Sequence, residues 1–206
     1  SVGYYQTVNK TTPVAGDVKY VDRNGDGVVD DNDRDIIGNP NPDFTYGFQT
    51  KVSWKSLSLS ASFNGVQGRD ILNVGNRYNN TPGTKSNNVT RKAFQNMWTD
   101  ENPSNLYPKS TFVVQNMVMD RYVEDGSYLR CSDITLSYVL PAKWTNKIGI
   151  KNTSVYASVK NAFVITDYSG YDPEVNSFAF DGLRPGVDMN SYPTPRSFVF
   201  GLNLTF

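Results

Sequence analysis

Apolar and polar residues alternate strictly in five stretches of the chain, which is the pattern of β-strands that bury one face. The first stretch is Phe44–Trp54 and the second is 57–64; only Lys55 and Ser56 separate them, which predicts a tight hairpin. The other three stretches are residues 128–140, 154–163 and 197–206. The sequence therefore predicts an all-β protein with antiparallel strands.

The two faces of these predicted strands differ in a way that favours a membrane barrel. One face carries large apolar side chains such as Trp54, Leu59 and Phe200, whereas the other carries mainly Ser, Thr, Asn and Gly. A soluble β-sandwich also alternates, but its strands are usually shorter and its polar faces carry more charge. Strands of about ten residues with an apolar outside and a small polar inside are typical of a bilayer-spanning β-barrel.

The connections between the predicted strands alternate in length. Residues 55–56 and 141–153 form short to moderate connections, whereas residues 65–127 and 165–196 form long ones. In outer-membrane barrels the short turns lie on the periplasmic rim and the long loops on the extracellular rim. The alternation therefore predicts that both long connections are extracellular loops.

The long connections have content of their own. Residues 89–98 are expected to form a short helix that is capped by Asn88 or Thr90. The packed stripe expected on this helix consists of Ala93, Phe94, Met97 and Trp98. Residues 171–196 are rich in Pro, Gly, Asp and aromatic residues, which is typical of an ordered surface loop. Its aromatic residues either stack on a sugar or peptide or hold the loop together.

A segment before the first strand has the twelve-residue spacing of an EF-hand calcium loop. Gly27 occupies the sixth position, where the loop turns sharply. The predicted calcium ligands are the side chains or backbone oxygens of Asp22, Asn24, Asp26, Val28, Asp30 and Asp33. Val28 offers its carbonyl, Asp30 binds directly or through water, and Asp33 stands where the usual pattern has a bidentate Glu.

The residues before this loop argue against a calcium sensor. Residues 16–21 are β-branched and aromatic without a helical period, so the helix that a paired EF-hand needs is missing. A calcium ion bound here is therefore expected to be structural. Residues 1–43 are predicted to form an extracellular loop region with this calcium loop, and residues 44–206 to form barrel strands and their extracellular loops.

Composition argues against several functional classes. Twenty basic and twenty acidic residues leave no net charge to attract nucleic acid or an anionic surface. The chain has no histidine, and Cys131 is its only cysteine, which argues against zinc sites, internal disulfides and His-based catalysis. Asp172 and Glu174 are close in sequence, but no base or nucleophile accompanies them, so an enzyme is not expected. Without an initiator Met or a signal peptide, the chain is expected to be a mature product or a piece of a longer protein.

Five segments of the chain belong together as a set: "GDVKYVDRNGDGVVDDNDRDIIGNPNPDFTYGF", "FNGVQGRDILN", "YLRCSDITLSYVLP", "NAFVITDYSGYDPEV" and "YPTPRSFVFGLNLTF". They resemble the SusC/RagA family of TonB-dependent outer-membrane transporters from Bacteroidota. Together they cover nearly the whole chain in the order of the family's C-terminal part. The aromatic Phe206 either closes the last apolar row or presents the final strand to a barrel-assembly machine.

The resemblance implies the C-terminal strands of a transmembrane barrel of about 22 strands. It also implies location in the bacterial outer membrane, a SusD-like surface lipoprotein that acts as a lid, energy supplied through TonB, and import of glycans or oligopeptides. The plug, the TonB-contacting segment and the remaining strands are expected on preceding sequence or on a separate polypeptide. The sequence leaves the choice between glycan and peptide open. The alternative interpretation is a secreted, calcium-stabilised β-module for adhesion or carbohydrate binding.

Overall fold

The structure is a computed structural model that describes residues 2–3, 14–81, 88–110, 118–145, 150, 152–174 and 176–205. The β-strands in this part of the chain are β1 (Val2–Gly3), β2 (Tyr20–Val21), β3 (Phe44–Trp54), β4 (Leu57–Gln67), β5 (Asp70–Asn73), β6 (Val123–Asp125), β7 (Tyr128–Val139), β8 (Asn152–Thr166), β9 (Val187–Asp188) and β10 (Ser197–Thr205). Short helices span Asp31–Asp33, Val74–Asn79, Arg91–Asn96, Asp120–Tyr122 and Ala142–Thr145. None of the helices in the described residues is long and apolar enough to cross a membrane.

The five predicted strands form one antiparallel sheet in the order β10-β8-β7-β4-β3. β3 has the predicted bounds, while β4 and β8 are longer than predicted because their ends continue to pair beyond the alternating residues. β3 and β10 are the two edges of this sheet. The prediction of an all-β protein with antiparallel strands is confirmed.

The strand register collects the apolar residues on one face. One row across all five strands is Trp54, Leu57, Tyr138, Val155 and Leu202, and the next is Val52, Leu59, Leu136, Ala157 and Phe200. Farther along the strands, the Phe48 and Phe63 rings stack with their centroids 4.6 Å apart. Because the strand period is two residues, this register leaves the small polar residues together on the opposite face.

The apolar face is open to the surroundings. Trp54 is 68% exposed and Phe200 is 79% exposed, although both belong to continuous apolar rows. Every residue of β3, and every residue of β10 except Gly201, is exposed. A soluble domain of this size rarely leaves so large an apolar sheet face uncovered.

The opposite face carries a network of polar side chains. The Asp133 carboxylate accepts hydrogen bonds from Thr135 and Ser158, each at 2.8 Å, and forms an ion pair with Lys160 at 2.6 Å. The hydroxyls of Thr135 and Ser158 are themselves 2.9 Å apart. Side-chain partners therefore satisfy this face across β7 and β8. We call it the polar face.

An irregularity in β7 changes which residues reach the polar face. Ser62 of β4 pairs with Asp133, but the next residue, Phe63, pairs with Cys131, so one extra residue of β7 is accommodated. Beyond this bulge the alternation is reversed. Arg130 consequently pairs with Asn64 and shares the polar face with it.

The long connections carry a second, smaller sheet in the order β6-β5-β9. β5 pairs with β6 in antiparallel and with β9 in parallel orientation, so the two long connections are joined to each other. The fully buried Ile71 lies at the centre of this sheet. Simple alternation did not reveal these strands because each has only two to four residues.

The predicted helix at 89–98 is shorter than expected. It spans Arg91–Asn96, and Thr90 is the capping residue because its hydroxyl accepts a hydrogen bond from the Ala93 amide. Ala93 is buried, but Phe94 is 62% exposed, so the expected packed stripe is wrong at Phe94. Trp98 does not continue the helix, and its ring lies beside Gly16 in the space that a Cβ at that position would need.

Candidate functional site

The predicted calcium loop folds around the carboxylate of its first residue. Asp22 is buried and accepts hydrogen bonds from the amides of Gly25, at 2.7 Å, and Gly27, at 2.9 Å. Gly27 has a φ of +86°, which a residue with a side chain adopts only with strain. The glycine at the sixth position therefore allows the loop to turn back over Asp22.

The last predicted ligand, Asp33, closes the loop. Its carboxylate accepts hydrogen bonds from the amides of Arg23 at 2.7 Å, Asn24 at 3.4 Å and Asp30 at 2.8 Å. The amide of Asp30 lowers the pKa of Asp33 most strongly, and the amides of Arg23 and Asn24 lower it further. Asp33 is thus held as a carboxylate beside the start of the loop.

The oxygens of the loop fit a hard cation by their chemistry. The carboxylates of Asp22, Asp26 and Asp33 each accept amide hydrogen bonds from the loop, and carboxylate oxygens are the ligands that calcium prefers. Among the described residues, however, no three Asp, Glu, Cys or His side chains converge closely enough to define a metal cluster. The calcium site therefore stays a prediction. It depends also on the side-chain carbonyl of Asn24 and on the backbone carbonyl of Val28.

Asp30 has a different local role. Its carboxylate accepts a hydrogen bond from the Asn32 amide at 2.8 Å and caps the short helix Asp31–Asp33. No α-helix lies anywhere in residues 14–43, all of which are described, and the extended strand Tyr20–Val21 precedes the loop. The prediction that residues 16–21 do not form a helix is therefore confirmed.

Hydrogen bonds connect the loop region to the sheets. The Asn39 amide donates to the Asp70 carboxylate at 2.7 Å, and the Asp70 amide donates to the Asn39 carbonyl at 2.8 Å. Farther on, the Asp43 amide donates to the Gln67 carbonyl at 3.0 Å, directly before β3 begins. These hydrogen bonds attach the segment that follows the loop to the small sheet and to the open end of the β3–β4 hairpin.

A cleft of about 1250 Å³ lies beside this loop. Its lining includes Asp30 and Asp33 from the loop, together with Trp98, Tyr107 and Arg121. Aromatic rings beside carboxylates and a guanidinium suit polar oligomeric ligands, which present both flat and hydrogen-bonding surfaces. A cation in the loop would stiffen one wall of this cleft.

The acidic pair in the last long connection does not face an open site. Asp172 and Glu174 both contact Arg130, with Asp172 Oδ1 2.5 Å from Nη2 and Glu174 Oε2 3.1 Å from Nε. Burial raises the pKa of Asp172, but the amides of Glu174 and Thr194 and the charge of Arg130 outweigh it, so its pKa lies below the usual value. Asp172 is therefore a charged partner of a buried guanidinium, and Glu174 is its second ion-pair partner. Sequence reasoning missed Arg130 because its partners lie more than forty residues away.

Comparisons with known proteins identify what the sheet resembles. The chain is 35% identical over 201 residues to TonB-dependent receptor P26 of Formosa agariphila. The aligned region covers 94% of this chain and 20% of the relative. It is 34% identical over 194 residues to TonB-dependent receptor SusC of Bacteroides thetaiotaomicron. That alignment covers 91% of this chain and 17% of the relative. No protein-family model matches the chain.

Solved structures give the same result for the fold. The structure of the RagAB peptide transporter matches with a TM-score of 0.74 and 27% identity, over 92% of this chain and 20% of that chain. The RagAB peptide importer in its open-open state matches with a TM-score of 0.72 and 30% identity, over 91% of this chain and 20% of that chain. The resemblance to the SusC/RagA family of TonB-dependent transporters is thus confirmed, and the sheet matches part of a RagA-type barrel. The chain spans about a fifth of the length of the relatives it matches.

Proposed function

We propose that this chain forms part of the barrel wall of a TonB-dependent importer in the bacterial outer membrane. The observation that carries the proposal is the five-stranded antiparallel sheet with one continuous, exposed apolar face and one polar face. In a barrel the apolar face contacts lipid and the polar face lines the lumen. The relatives are named receptors and importers, which agrees with a role other than catalysis.

The relatives support finer features of this proposal. The cargo is a glycan or an oligopeptide, and a SusD-like surface lipoprotein covers the extracellular rim as a lid. The remaining barrel strands, the plug and the TonB-contacting segment come from sequence outside this chain. Support comes from the similarity to SusC and to RagAB, the second of which is named a peptide importer.

Cysteine labelling of intact cells tests the orientation of the sheet. Leu183, on the second long connection, and Lys55, in the β3–β4 turn, are replaced by Cys in the full-length protein. A membrane-impermeant maleimide is expected to label the Leu183→Cys protein directly and the Lys55→Cys protein only after permeabilisation, because the long loops face outward. The native Cys131 is buried and contributes little background. Labelling of Lys55→Cys, but not Leu183→Cys, on intact cells would contradict this topology.

We further propose that the predicted loop binds one structural calcium ion through Asp22, Asn24, Asp26, the Val28 carbonyl and Asp33, with Asp30 bound directly or through water. The support is the twelve-residue spacing and the loop that closes around Asp22 and Asp33. The ion would brace the segment that leads into β3. It would not act as a switch, because no α-helix in residues 14–43 is available to be moved.

Replacing Asp26 by Ala is expected to abolish the stabilisation of the full-length protein by calcium. For a weak extracellular-type site, about 10 mM calcium stabilises the folded state by roughly 1–3 kcal/mol. The measurement is the calcium-dependent shift of the melting temperature. Asp31→Ala is the matched control, because Asp31 lies in the same loop at a position that is not a predicted ligand, and it should retain the shift. Equal shifts in the wild type and Asp26→Ala would contradict the site.

A further inference from the structure

Arg130 lies at the point where the second long connection meets the sheet. Its side chain is only 5% exposed, and that of Asp172, its closest ionic partner, is only 4% exposed. The Arg130 guanidinium contacts Asp172 through one nitrogen and Glu174 through another. A charge this deeply buried is tolerated only while its partners remain in place.

The two carboxylates reach more than one strand of the sheet. Glu174 also accepts hydrogen bonds from the Tyr128 hydroxyl at 2.7 Å and from the Asn64 side-chain amide at 3.0 Å. Tyr128 and Arg130 belong to β7, whereas Asn64 belongs to the neighbouring β4. Arg69, which follows β4, donates a hydrogen bond to the carbonyl of the buried Pro173. The start of the connection is thus held across two strands.

Asp172 also closes the connection on itself. Its carboxylate accepts hydrogen bonds from the amide of Glu174 at 2.9 Å and from the amide of Thr194 at 3.1 Å. Thr194 lies 22 residues farther along the chain. Directly after it, the Pro195 carbonyl accepts a hydrogen bond from Asn161 of β8 at 3.0 Å. One carboxylate therefore joins both ends of the 172–194 loop to each other and to Arg130.

We propose that Arg130 anchors the 172–194 loop to the polar face of the sheet, so that the loop is a fixed part of the channel wall and not a gate. The idea that this face lines a transport channel rests on the function proposed above, whereas the anchor itself rests on the contacts of Arg130, Asp172 and Glu174. Removal of the guanidinium leaves the buried Asp172 carboxylate beside that of Glu174 without the cation that both of them contact. The loop then detaches at both ends.

Hydrogen exchange of the full-length protein in detergent micelles tests the anchor without any cargo. In the wild type, the amides of Glu174 and Thr194 are expected to exchange as slowly as the adjoining end of β7, within about tenfold, because they open together with it. In Arg130→Gln both amides are expected to exchange at least about a hundredfold faster. Glu174→Gln removes one charge but retains an acceptor, so the Thr194 amide should exchange about tenfold faster.

The matched control is Arg184→Gln in the same loop. Arg184 forms an exposed ion pair with Asp181 at 3.1 Å, and its removal should leave both amides within about twofold of the wild type. The anchor is refuted if Arg130→Gln folds with wild-type exchange, if Arg184→Gln has an equal effect, or if both amides exchange rapidly in the wild type. If Arg130→Gln does not fold, unchanged exchange in Glu174→Gln refutes the anchor. Absence of import by the wild-type protein, with both amides protected, would instead count against the proposed function and leave the anchor standing.

Discussion

Replacing Phe200 by Arg is expected to remove most of the full-length protein from the folded, outer-membrane fraction. Phe200 is exposed in the middle of the edge strand β10, and its row continues through Ala157 and Leu136. In the proposed barrel this row faces the hydrocarbon core. A guanidinium at the bilayer midplane of a β-barrel costs about 2–4 kcal/mol, which is a large part of a typical stability. The measurement is the amount of heat-modifiable, folded protein in isolated outer membranes.

The control for this substitution lies on the same strand. Asn203 is on the polar face, where its amide donates to the Ser154 hydroxyl at 3.3 Å. Asn203→Arg introduces the same charge on the lumen side and should leave at least about half of the folded protein, because lumen substitutions do not place charge in lipid. If Phe200→Arg and Asn203→Arg accumulate equally well, the apolar face does not contact lipid.

The long strands could be predicted from the sequence because their pattern is redundant. In Phe44–Trp54 a single polar residue, Thr50, interrupts the apolar row. If the pairing register shifted by one residue, almost the whole apolar row would move to the polar face of the sheet. The bounds of β3 were therefore predicted correctly. The end of β8 was predicted too early, because its last residues continue to pair with β7 although their alternation is less regular.

The bulge in β7 could not be predicted from alternation. By simple counting, Arg130 would share a face with Ile134 and would point toward the apolar side. The extra residue beside Cys131 reverses this order and places Arg130 next to Asn64. The reversal depends on pairing with a strand more than sixty residues away, which a local pattern does not contain. For the same reason, Asp172 and Glu174 could be recognised as an acidic pair but not as partners of Arg130.

The calcium loop could be predicted from the sequence in part. Its spacing names the candidate ligands, and the glycine at position 27 has the backbone conformation that the spacing requires. Local sequence also explains why the flanking residues are extended, since Tyr20 and Val21 favour strand conformation. The spacing does not determine how closely the oxygens approach one another, because that depends on the ion itself.

The last prediction concerns the two edges of the large sheet. In the described part of the chain, β3 pairs on one side with β4, and β10 pairs on one side with β8. Each edge therefore presents a row of backbone donors and acceptors for a further strand. In lipid, every such unsatisfied group costs several kcal/mol, so a barrel wall has to continue at both edges. If the proposed barrel has about 22 strands, as large outer-membrane transporters do, roughly 17 further strands complete it.

The 206 residues expressed alone are accordingly expected to aggregate or to require detergent. Two causes act together: the exposed apolar face that includes Trp54 and Phe200, and the open edges β3 and β10. Size-exclusion chromatography and sedimentation with and without detergent measure the first effect, and hydrogen exchange of the edge strands measures the second. The full-length protein in detergent is the control, and there both edges should be protected because neighbouring strands pair with them. A monodisperse, detergent-free monomer with both edges protected would refute the barrel wall and support the secreted, calcium-stabilised β-module, since only a self-contained domain can satisfy its own edges in water.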